Sequence, residues 1–509
     1  MIQKLENEWD LLIIGGGATG LGAAVDGASR GLKTLLVEQS DFAKGTSSRS
    51  TKLIHGGLRY LQKGNLSLVL EALRERGHLC QNAPHLIRHC PFFVPSYHWW
   101  QGPFYGIGLK IYDLLAGKLG LEPSKHLSLK ETLQLLPNIE PENLSGGAIY
   151  YDGQFDDSRL AITLAQTAAD HGGVLLNYMK ATSLIKKEGH VQGAKVQDEE
   201  TGKEYEIRAK VVINATGIFT DEIRQMDDPK TPAIIQPSQG VHIVLDRSFL
   251  DSETAIMIPH TSDGRVLFMV PWLGKVLVGT TDTPIKKPIL EPEPLEEEIS
   301  FILKEAGKYL SKNPTRKDIL SVFAGIRPLI AHEGKKTASL SRDHSILVSG
   351  SGLVTIAGGK WTTYRKMAED VIDKAILVGG LDESVCKTTN LKLHGYLENA
   401  DPTDPWSAYG VDQKKIKKII ADNPELDQFL SPNLPYLQGE VLWHVREEMA
   451  RTVEDVLARR TRSLLLDARI AVEIAPLVAE LMAKELSRSK EWEEAQVKQF
   501  KEIASHYIP

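Results

Sequence analysis

The sequence predicts an α/β fold with two sheets and a helical C-terminal part. The first observation is a buried strand, a glycine-rich turn and an alanine-rich helix within residues 10–41. The second is a pair of later strands, within residues 209–223 and 352–376, that also end in glycine turns. The third is a series of strand-like segments between residues 231 and 339, followed by helical apolar spacing beyond residue 440. Together they favour a Rossmann-like domain, an antiparallel-sheet domain interleaved with it and a terminal α-helical domain.

The composition is ordinary for a globular protein and gives no support to nucleic-acid binding, a metal site or a membrane span. The chain has 509 residues, 42% apolar and 25% charged, so two to four domains with a large core are expected. The formal net charge of −6 gives no reason to expect nucleic acid, although a local basic pocket would still bind an anion. Three cysteines without a C-x-x-C pair predict no zinc or other metal site, and a reducing compartment. The N-terminus does not resemble a signal peptide, and no run of 18 apolar residues predicts a membrane-spanning helix.

The strongest motif lies near the N-terminus. Leu11–Ile14 is a continuous apolar run, followed by Gly15, Gly17 and Gly20 in G-x-G-x-x-G spacing. Glycines in this pattern allow a tight turn and a close approach of the backbone to a pyrophosphate at the helix N-terminus. Glu38 ends the second strand, where its carboxylate can accept hydrogen bonds from a ribose. The complete strand–turn–helix–strand–acid unit predicts dinucleotide binding.

The arrangement of the glycine turns favours FAD over NAD. The motif stands at the start of the chain, where an FAD-binding unit tends to be built first. Ala215-Thr216-Gly217 and Gly358-Gly359 follow two further buried strands, and each turn aims a helix N-terminus at a ligand. Either turn alone fits an ordinary strand–helix connection equally well. Three such turns, spread along the chain, are what a long FAD molecule lying across one sheet requires.

Several segments resemble the FAD-dependent, quinone-linked glycerol-3-phosphate dehydrogenases. The signature-like stretches are "IHGGLRYL" and "GGKWTTYRKMAE", and "GTTDTP", "AGIRPL" and "SLSRDHSI" also match the pattern of that family. The resemblance covers nearly the whole chain. It implies non-covalent FAD, oxidation of sn-glycerol 3-phosphate to dihydroxyacetone phosphate by hydride transfer from C2 to flavin N5, and electron delivery to a membrane quinone.

Other functions stay open at this point. A related glycerol-3-phosphate oxidase passes electrons to oxygen and makes hydrogen peroxide, although the length of this chain is more like the dehydrogenase. A flavin-binding protein without turnover and an amino-acid oxidase of similar fold are further alternatives. The several cations expected in the pocket argue modestly against the amino-acid oxidase, because a carboxylate usually needs only one arginine.

The resemblance, with the glycine turns, assigns the residues expected to bind FAD. The loop "DFAKGTSSRS" suits donation of N–H and hydroxyl groups to the phosphates, and the glycines after His55 would leave room for the flavin ring. The expected cofactor-binding residues are Gly15, Gly17, Ala18, Thr19, Gly20, Glu38, Gln39, Thr46, Ser47, Ser48, Lys52, His55, Gly56, Gly57, Ala215, Thr216, Gly217, Gly325, Gly359, Lys360 and Thr362.

The substrate pocket is expected to be cationic, because the substrate carries a phosphate dianion that arginine binds well. The resemblance places Arg59, Tyr60, His242, Arg327, Arg342 and Lys360 there as substrate-binding residues. Among the three catalytic candidates, His242 is the leading base, and its alternative is an ordinary histidine within a sheet. Arg327 would stabilise the developing alkoxide, with Lys360 as the runner-up in that electrostatic role.

The predicted domains are discontinuous. Residues 1–80, 145–230 and 340–385 are assigned to the FAD-binding domain, and residues 81–144 and 231–339 to the substrate or cap domain. Residues 400–509 are assigned to a C-terminal helical domain. There, Leu442, Val445, Met449, Val453 and Val456 follow three- and four-residue steps that predict one helix face.

Residues 91–120 combine aromatic side chains with lysines. Such a segment suits a membrane interface, and its alternative is a core helix of the cap domain. The family resemblance implies a cytoplasmic enzyme associated peripherally with the inner face of the cell membrane. A homodimer is an open alternative to a monomer.

Overall fold

Two sheets divide the molecule. The computed structural model describes residues 5, 7–57, 65–97, 101–331, 344–401 and 404–509. Within these ranges the first sheet has eight strands, numbered along the chain. They are β1 (Glu8–Ile14), β2 (Thr34–Val37), β7 (Val174–Leu176), β8 (Met179–Lys187), β9 (His190–Asp198), β10 (Glu204–Asn214), β17 (His344–Val348) and β18 (Val354–Gly358).

The first sheet brings the three predicted glycine turns to one edge. Its order is β17-β18-β10-β1-β2-β7, with β9 also paired to β10 and β8 paired to β9. β1 runs parallel to β2 and β10, and β10 runs parallel to β18. Because these strands point the same way, the turns after Ile14, Asn214 and Gly358 lie at the same carboxyl edge.

The second sheet is mainly antiparallel and covers that edge. Its described strands follow the order β15-β11-β14-β13-β12-β4-β6-β3, with β16 also paired to β11 and β5 to β6. β4 and β12 are parallel to each other. The strands are β3 (Leu53–Ile54), β4 (Ile87–Ser96), β5 (Lys125–Ser128), β6 (Gly146–Phe155), β11 (Ile235–Asp246), β12 (Ala255–Ile258), β13 (Leu267–Trp272), β14 (Lys275–Gly279), β15 (Thr283–Pro284) and β16 (Ile319–Ile330).

The predicted domain boundaries differ from the sheets in two places. β6 lies within residues 145–230, which were assigned to the FAD-binding domain, but it pairs with β4 in the second sheet. β3 lies within residues 1–80 and pairs with β6. A short strand pattern does not reveal which of two sheets it joins, because the partner is distant in the chain.

Helices follow the glycine turns of residues 15–20 and 358–359 as predicted, but one predicted helix face differs. The described α-helices are α1 (Ala18–Ser29), α2 (Leu66–Asn82), α3 (Gln101–Ala116), α4 (Leu129–Leu135), α5 (Asp157–Asp170), α6 (Thr220–Asp227), α7 (Glu296–Gly307), α8 (Tyr364–Gly379), α9 (Gln413–Asp422), α10 (Gln438–Glu447), α11 (Ser463–Leu466), α12 (Ala468–Leu486) and α13 (Lys490–Ser505).

The exception is the single helix face predicted from Leu442 to Val456. α10 ends at Glu447, Met449 has a left-handed φ of 56°, and a separate π-helical turn occupies Asp455–Arg460. Val445, Val453 and Val456 still contribute to one core, but from separate short segments rather than one helix, and Met449 packs against the core of the first sheet instead.

Three apolar cores connect these layers. One lies between the first sheet and helices α1, α5 and α8. A second lies between the second sheet and helix α7. The third joins the C-terminal helices to Trp272 and Phe323 on the second sheet, so the C-terminal domain packs directly against the cap.

Candidate active site

A cavity of about 480 Å³ runs from the glycine turns of the first sheet to the inner face of the second. Nineteen of the predicted site residues line it: Gly15, Gly17, Ala18, Thr19, Glu38, Gln39, Thr46, Ser47, His55, Gly57, Ala215, Thr216, Gly217, His242, Gly325, Arg327, Gly359, Lys360 and Thr362. Arg59, Tyr60 and Arg342 lie outside the described residues. The structure therefore brings together residues from three distant parts of the chain at one cavity.

The first end of the cavity is built from backbone. Gly15 has a φ of 112°, and a Cβ there would lie 2.6 Å from the carbonyl oxygen of Ala215. A Cβ on Gly20 would collide with the carbonyl oxygen of Gly15. These close approaches require glycine, and they place the N-terminus of α1 beside the cavity.

Glu38 stabilises this turn as well as lining the cavity. Its Oε2 accepts a hydrogen bond from the Gly16 N–H at 2.6 Å, and its Oε1 accepts one from the Ser40 N–H at 2.9 Å. A carboxylate oxygen has a further lone pair, so Glu38 keeps acceptor capacity toward a ligand.

Residues 41–49, called here the cofactor loop, form one side of the cavity. The Ser47 hydroxyl accepts a hydrogen bond from the Ala18 N–H at 2.9 Å, and the Ser47 carbonyl accepts one from the Trp361 indole at 2.9 Å. The Thr46 hydroxyl donates to the carbonyl of Ile326 on β16 at 2.6 Å. The loop is thus bonded to both sheets at the cavity.

Four predicted cofactor residues lie behind the cavity wall rather than on it: Gly20, Ser48, Lys52 and Gly56. Lys52 is fully buried, and its Nζ donates to the Asp157 carboxylate at 2.7 and 2.8 Å and to the Ser48 carbonyl at 2.6 Å. The Gly56 N–H donates to the buried Asp152 carboxylate at 3.1 Å.

Proximity along the chain does not tell which residues turn inward from a cavity wall. Direct contact between these four residues and a cofactor stays a prediction.

His242 lies on β11 at the second end of the cavity. Its ring stacks on Phe323, with centroids 5.0 Å apart, and its Nε2 lies 2.9 Å from the Thr51 hydroxyl. Gly279, its partner on β14, leaves the room that the imidazole occupies, since a Cβ there would collide with the ring. Burial first, and then the charges of Lys52 and Arg327, hold the pKa of His242 well below its usual range. The imidazole is therefore uncharged near neutral pH.

Arg327 lies on β16, which pairs with β11. Its guanidinium donates to the Thr281 carbonyl at 3.0 Å and to the Thr280 hydroxyl at 3.3 Å, and it lies 3.4 Å from the Asp282 carboxylate. A Cβ on Gly240 would lie 2.5 Å from this guanidinium. Glycine on the neighbouring strand therefore makes room for Arg327, as Gly279 does for His242.

Thr51, Gly279, Gly240 and Asp282 were not predicted as site residues. "GTTDTP" was recognised as a family-like segment, which gave a signal for Gly279 and Asp282 without a role. No local pattern marks Thr51, because its contact with His242 spans 191 positions of the chain.

An apolar wall lines the cavity on the side of the second sheet. It contains Phe92, Tyr150, Met257 and Phe268. Phe92 stacks on Tyr150 at a centroid distance of 5.3 Å and meets the edge of Phe268 at 6.0 Å. Behind the wall, Tyr150 contacts Tyr112 of α3.

Comparison with known proteins identifies the chain. The profile described as FAD dependent oxidoreductase matches residues 10–365, and the profile of the C-terminal domain of alpha-glycerophosphate oxidase matches residues 354–496. A mitochondrial glycerol-3-phosphate dehydrogenase from Mesocricetus auratus is 43% identical over 99% of this chain and 73% of its own length. The chain belongs to the FAD-dependent glycerol-3-phosphate dehydrogenases.

Solved structures agree with this assignment. The glycerol-3-phosphate dehydrogenase from Bacillus halodurans, complexed with FAD, is 32% identical over all of this chain and 96% of its own, with a TM-score of 0.82. An L-alpha-glycerophosphate oxidase from Mycoplasma pneumoniae is 18% identical over 76% of this chain and 98% of its own, with a TM-score of 0.56, and shares the fold. The predictions of family, fold class, enzyme class and FAD cofactor are confirmed.

The cavity of this dehydrogenase fits FAD. The glycine turn leaves space where any Cβ would collide with backbone, and the N-terminus of α1 faces a position suited to phosphate. Glu38 lies beside the glycine turn, whereas His242 and Arg327 lie on strands of the second sheet, and all three line the same cavity. The cavity thus has a dinucleotide-binding end joined to an end that contains the candidate catalytic groups.

Proposed function

We propose that this enzyme oxidises sn-glycerol 3-phosphate to dihydroxyacetone phosphate and passes the two electrons to a membrane quinone. The main observation is the pairing of an uncharged, buried imidazole with a guanidinium on adjacent strands at one end of the FAD cavity. Bound FAD supplies the acceptor for the hydride that leaves C2. The protein must then remove the hydroxyl proton and stabilise charge on the oxygen.

His242 is suited to take the proton from the C2 hydroxyl. An imidazole acts as a general base only when it is uncharged, and burial keeps it so. The contacts with Thr51 and Phe323 fix the ring, so little reorganisation is needed when substrate binds.

Arg327 is suited to stabilise the developing alkoxide. Its charge is oriented by Thr280, Thr281 and Asp282 before substrate arrives, and a preorganised donor is more effective than one that must turn. Lys360 lines the same cavity and adds a second cation toward the phosphate. Arg59, Tyr60 and Arg342 remain predicted substrate contacts from the family motifs.

The apolar wall supports a quinone as the electron acceptor. A phosphorylated three-carbon alcohol is small and polar, so it makes few favourable contacts with Phe92, Tyr150, Met257 and Phe268. A quinone ring is flat and apolar, and it packs well against such side chains. Quinone reduction to quinol takes up two electrons and two protons, the same number that oxidation of one alcohol to a ketone releases.

The outer faces of α2 and α3 support peripheral attachment to the inner face of the cell membrane. Both helices expose apolar side chains, including Ile107 at 66% and Leu114 at 80%, while Leu109 and Tyr112 of α3 enter the core. The amphipathic pattern suits a helix lying at a lipid interface. In the part of the chain that the structure describes, no helix has the length and apolar character needed to span a bilayer.

The deciding experiment is anaerobic mixing of the purified holoenzyme with sn-glycerol 3-phosphate while flavin absorbance is recorded, followed by addition of quinone or oxygen. We expect rapid bleaching, with reoxidation much faster by quinone than by oxygen. Rapid reoxidation by oxygen with peroxide would replace the proposal with an oxidase. Absence of bleaching in the FAD-loaded protein would overturn the substrate.

Membrane attachment is tested separately, by vesicle binding rather than by flavin bleaching. Leu114→Asp should reduce co-sedimentation with anionic phospholipid vesicles. The matched control is Val385→Asp, which changes an equally exposed apolar residue beyond α8. Equal retention of both variants would contradict the assignment of α3 to the membrane surface.

A further inference from the structure

The cofactor loop is held from outside the FAD-binding domain. Ala43, Lys44, Gly45, Thr46, Ser47 and Arg49 of this loop line the cavity. Ala43 has a left-handed φ of 61°, an arrangement that a non-glycine residue adopts only when its surroundings stabilise it. Contacts with α1, β16 and Trp361 hold part of the loop, and a further set of contacts comes from the C-terminal domain.

Asp41, at the start of the loop, is fully buried between two arginines of the π-helical turn. Its carboxylate accepts hydrogen bonds from Arg459 Nε at 2.5 Å and from Arg460 Nη1 and Nη2 at 2.7 and 2.9 Å. Burial raises the pKa of Asp41, but the charges of Arg460 and Arg459 outweigh burial and keep it below its ordinary value. Asp41 is therefore a buried anion whose counter-ions lie more than 400 positions away.

Two further contacts secure the rest of the loop. Lys44 Nζ lies 2.5 Å from the Glu454 carboxylate, which also accepts a hydrogen bond from Arg459 Nη1 at 2.7 Å. Arg462 Nη2 donates to the Ser48 carbonyl at 2.9 Å. The start, middle and end of the loop each contact a side chain between residues 454 and 462.

We infer that the C-terminal domain is a structural part of the FAD site, and that Glu454, Arg459 and Arg460 are positioning residues for the cofactor loop. None of the three lines the cavity, so they act through the loop and not by touching FAD. The inference rests on the FAD cofactor, not on the proposed substrate or acceptor.

The burial of these charges explains why the ion pairs fix the conformation of the cofactor loop. Removing one partner of a buried ion pair leaves the other charge uncompensated, and the structure then relaxes to hydrate it. For Asp41 that relaxation would displace the loop that lines the cavity. Exposed ion pairs of the same domain lack this effect, because water screens them.

The test measures FAD affinity rather than turnover. Apoprotein of the full chain is titrated with FAD while flavin fluorescence is recorded, for the unmodified protein and for Asp41→Asn and Glu454→Gln. We expect the Kd for FAD to rise on the order of tenfold in Glu454→Gln and by more in Asp41→Asn. The release rate of FAD should rise in parallel.

The matched control is Arg446→Met. Arg446 forms a bidentate pair with Glu485 between α10 and α12 of the same domain, at 2.7 Å for both contacts, but the pair is partly exposed and these hydrogen bonds do not involve the cofactor loop. Its Kd for FAD should equal that of the unmodified protein.

Stability measurements separate positioning from general folding. The thermal midpoint of each apoprotein is recorded beside its FAD titration, because a general loss of folding stability lowers that midpoint even without FAD. An unchanged Kd for FAD in Glu454→Gln, whatever its midpoint, overturns the inference. If Asp41→Asn does not fold, the Kd values for FAD of Glu454→Gln and Arg460→Lys test the inference instead, and unchanged values overturn it.

Discussion

The two ends of the cavity are constructed differently. At the dinucleotide end, glycines allow close backbone contacts: a Cβ on Gly15 would meet the Ala215 carbonyl, and a Cβ on Gly20 would meet the Gly15 carbonyl. At the reaction end, Thr51, His242 and Arg327 are distant in the chain and meet only in the folded protein. The first end depends on the absence of side chains, and the second on a few side chains in fixed contacts. Substitutions at the two ends should therefore impair different steps.

The largest effect is expected at the reaction end. His242→Gln keeps a polar side chain of similar size but removes the proposed base, so substrate-driven flavin reduction should slow by about 10²–10⁴-fold. FAD affinity should not change, because the dinucleotide end is untouched. Stopped-flow bleaching and an FAD titration measure the two quantities. Equal losses of FAD affinity and of reduction rate would contradict the assignment of separate steps to the two ends of the cavity.

Gly20→Ala tests the dinucleotide end. The added methyl group would collide with the Gly15 carbonyl, so α1 must move away from the turn and the Kd for FAD should rise on the order of tenfold. Gly350→Ala is the control, because nothing lies within 4 Å of its added Cβ. Saturating FAD should restore most of the reduction rate. Failure of that rescue would indicate that the glycine turn also shapes the reaction end.

A smaller effect is expected from Thr51→Val, which has nearly the same shape but cannot hydrogen-bond His242. The rate of flavin reduction should fall about three- to tenfold, with Thr51→Ser close to the unmodified enzyme. The KM for substrate should change little, because the substitution acts on the orientation of the base. A rate that falls in the serine variant but not in the valine variant would mean that the methyl group, and not the hydroxyl, matters.

The smallest effect is expected at a contact that belongs to neither end. His394 lies 2.6 Å from both Asp412 and Asp170, and the hydrogen bond with Asp412, followed by that with Asp170, raises its pKa to about 9 despite partial burial. A histidine whose pKa is raised on folding stabilises fully below its ordinary pKa, and the contribution disappears as the pH rises through 9.

His394→Gln should therefore lower the free energy of unfolding by on the order of 1–2 kcal/mol at pH 6, after allowance for partial exposure. The difference should vanish by about pH 10, as measured by urea unfolding. His506→Gln, at a more exposed pair with Glu293, is the control and should show little change at either pH. A difference that persists at high pH would show that packing, rather than charge, dominates at His394.

The same contrast between the ends explains what the sequence could predict. Gly15, Gly17, Glu38 and the turn at Ala215 follow local patterns, and the structure places them all at the cavity. Lys52 was expected at the cofactor, but it turns inward to Asp157, a contact that no local pattern encodes. Whether the predicted residues touch cofactor or substrate stays a prediction.

The contribution of the C-terminal domain was not foreseen for the same physical reason. Arg459 and Arg460 had no predicted role, because charged residues beside an amphipathic helix are normally solvated. The break after α10 and the π-helical turn instead direct them into the interior against Asp41. The charge of a residue is visible in a sequence, but a buried partner 400 positions away is not.

The order in which these segments occur in the chain has a consequence for biosynthesis. The first glycine turn leaves the ribosome early, but β18 supplies its strand only from residue 354, and Arg459 and Arg460 emerge later still. A nascent chain that ends before β18 lacks the strand that pairs with Ile213 and Asn214 at the end of β10. The coenzyme site is therefore complete only when nearly the whole chain has been synthesised.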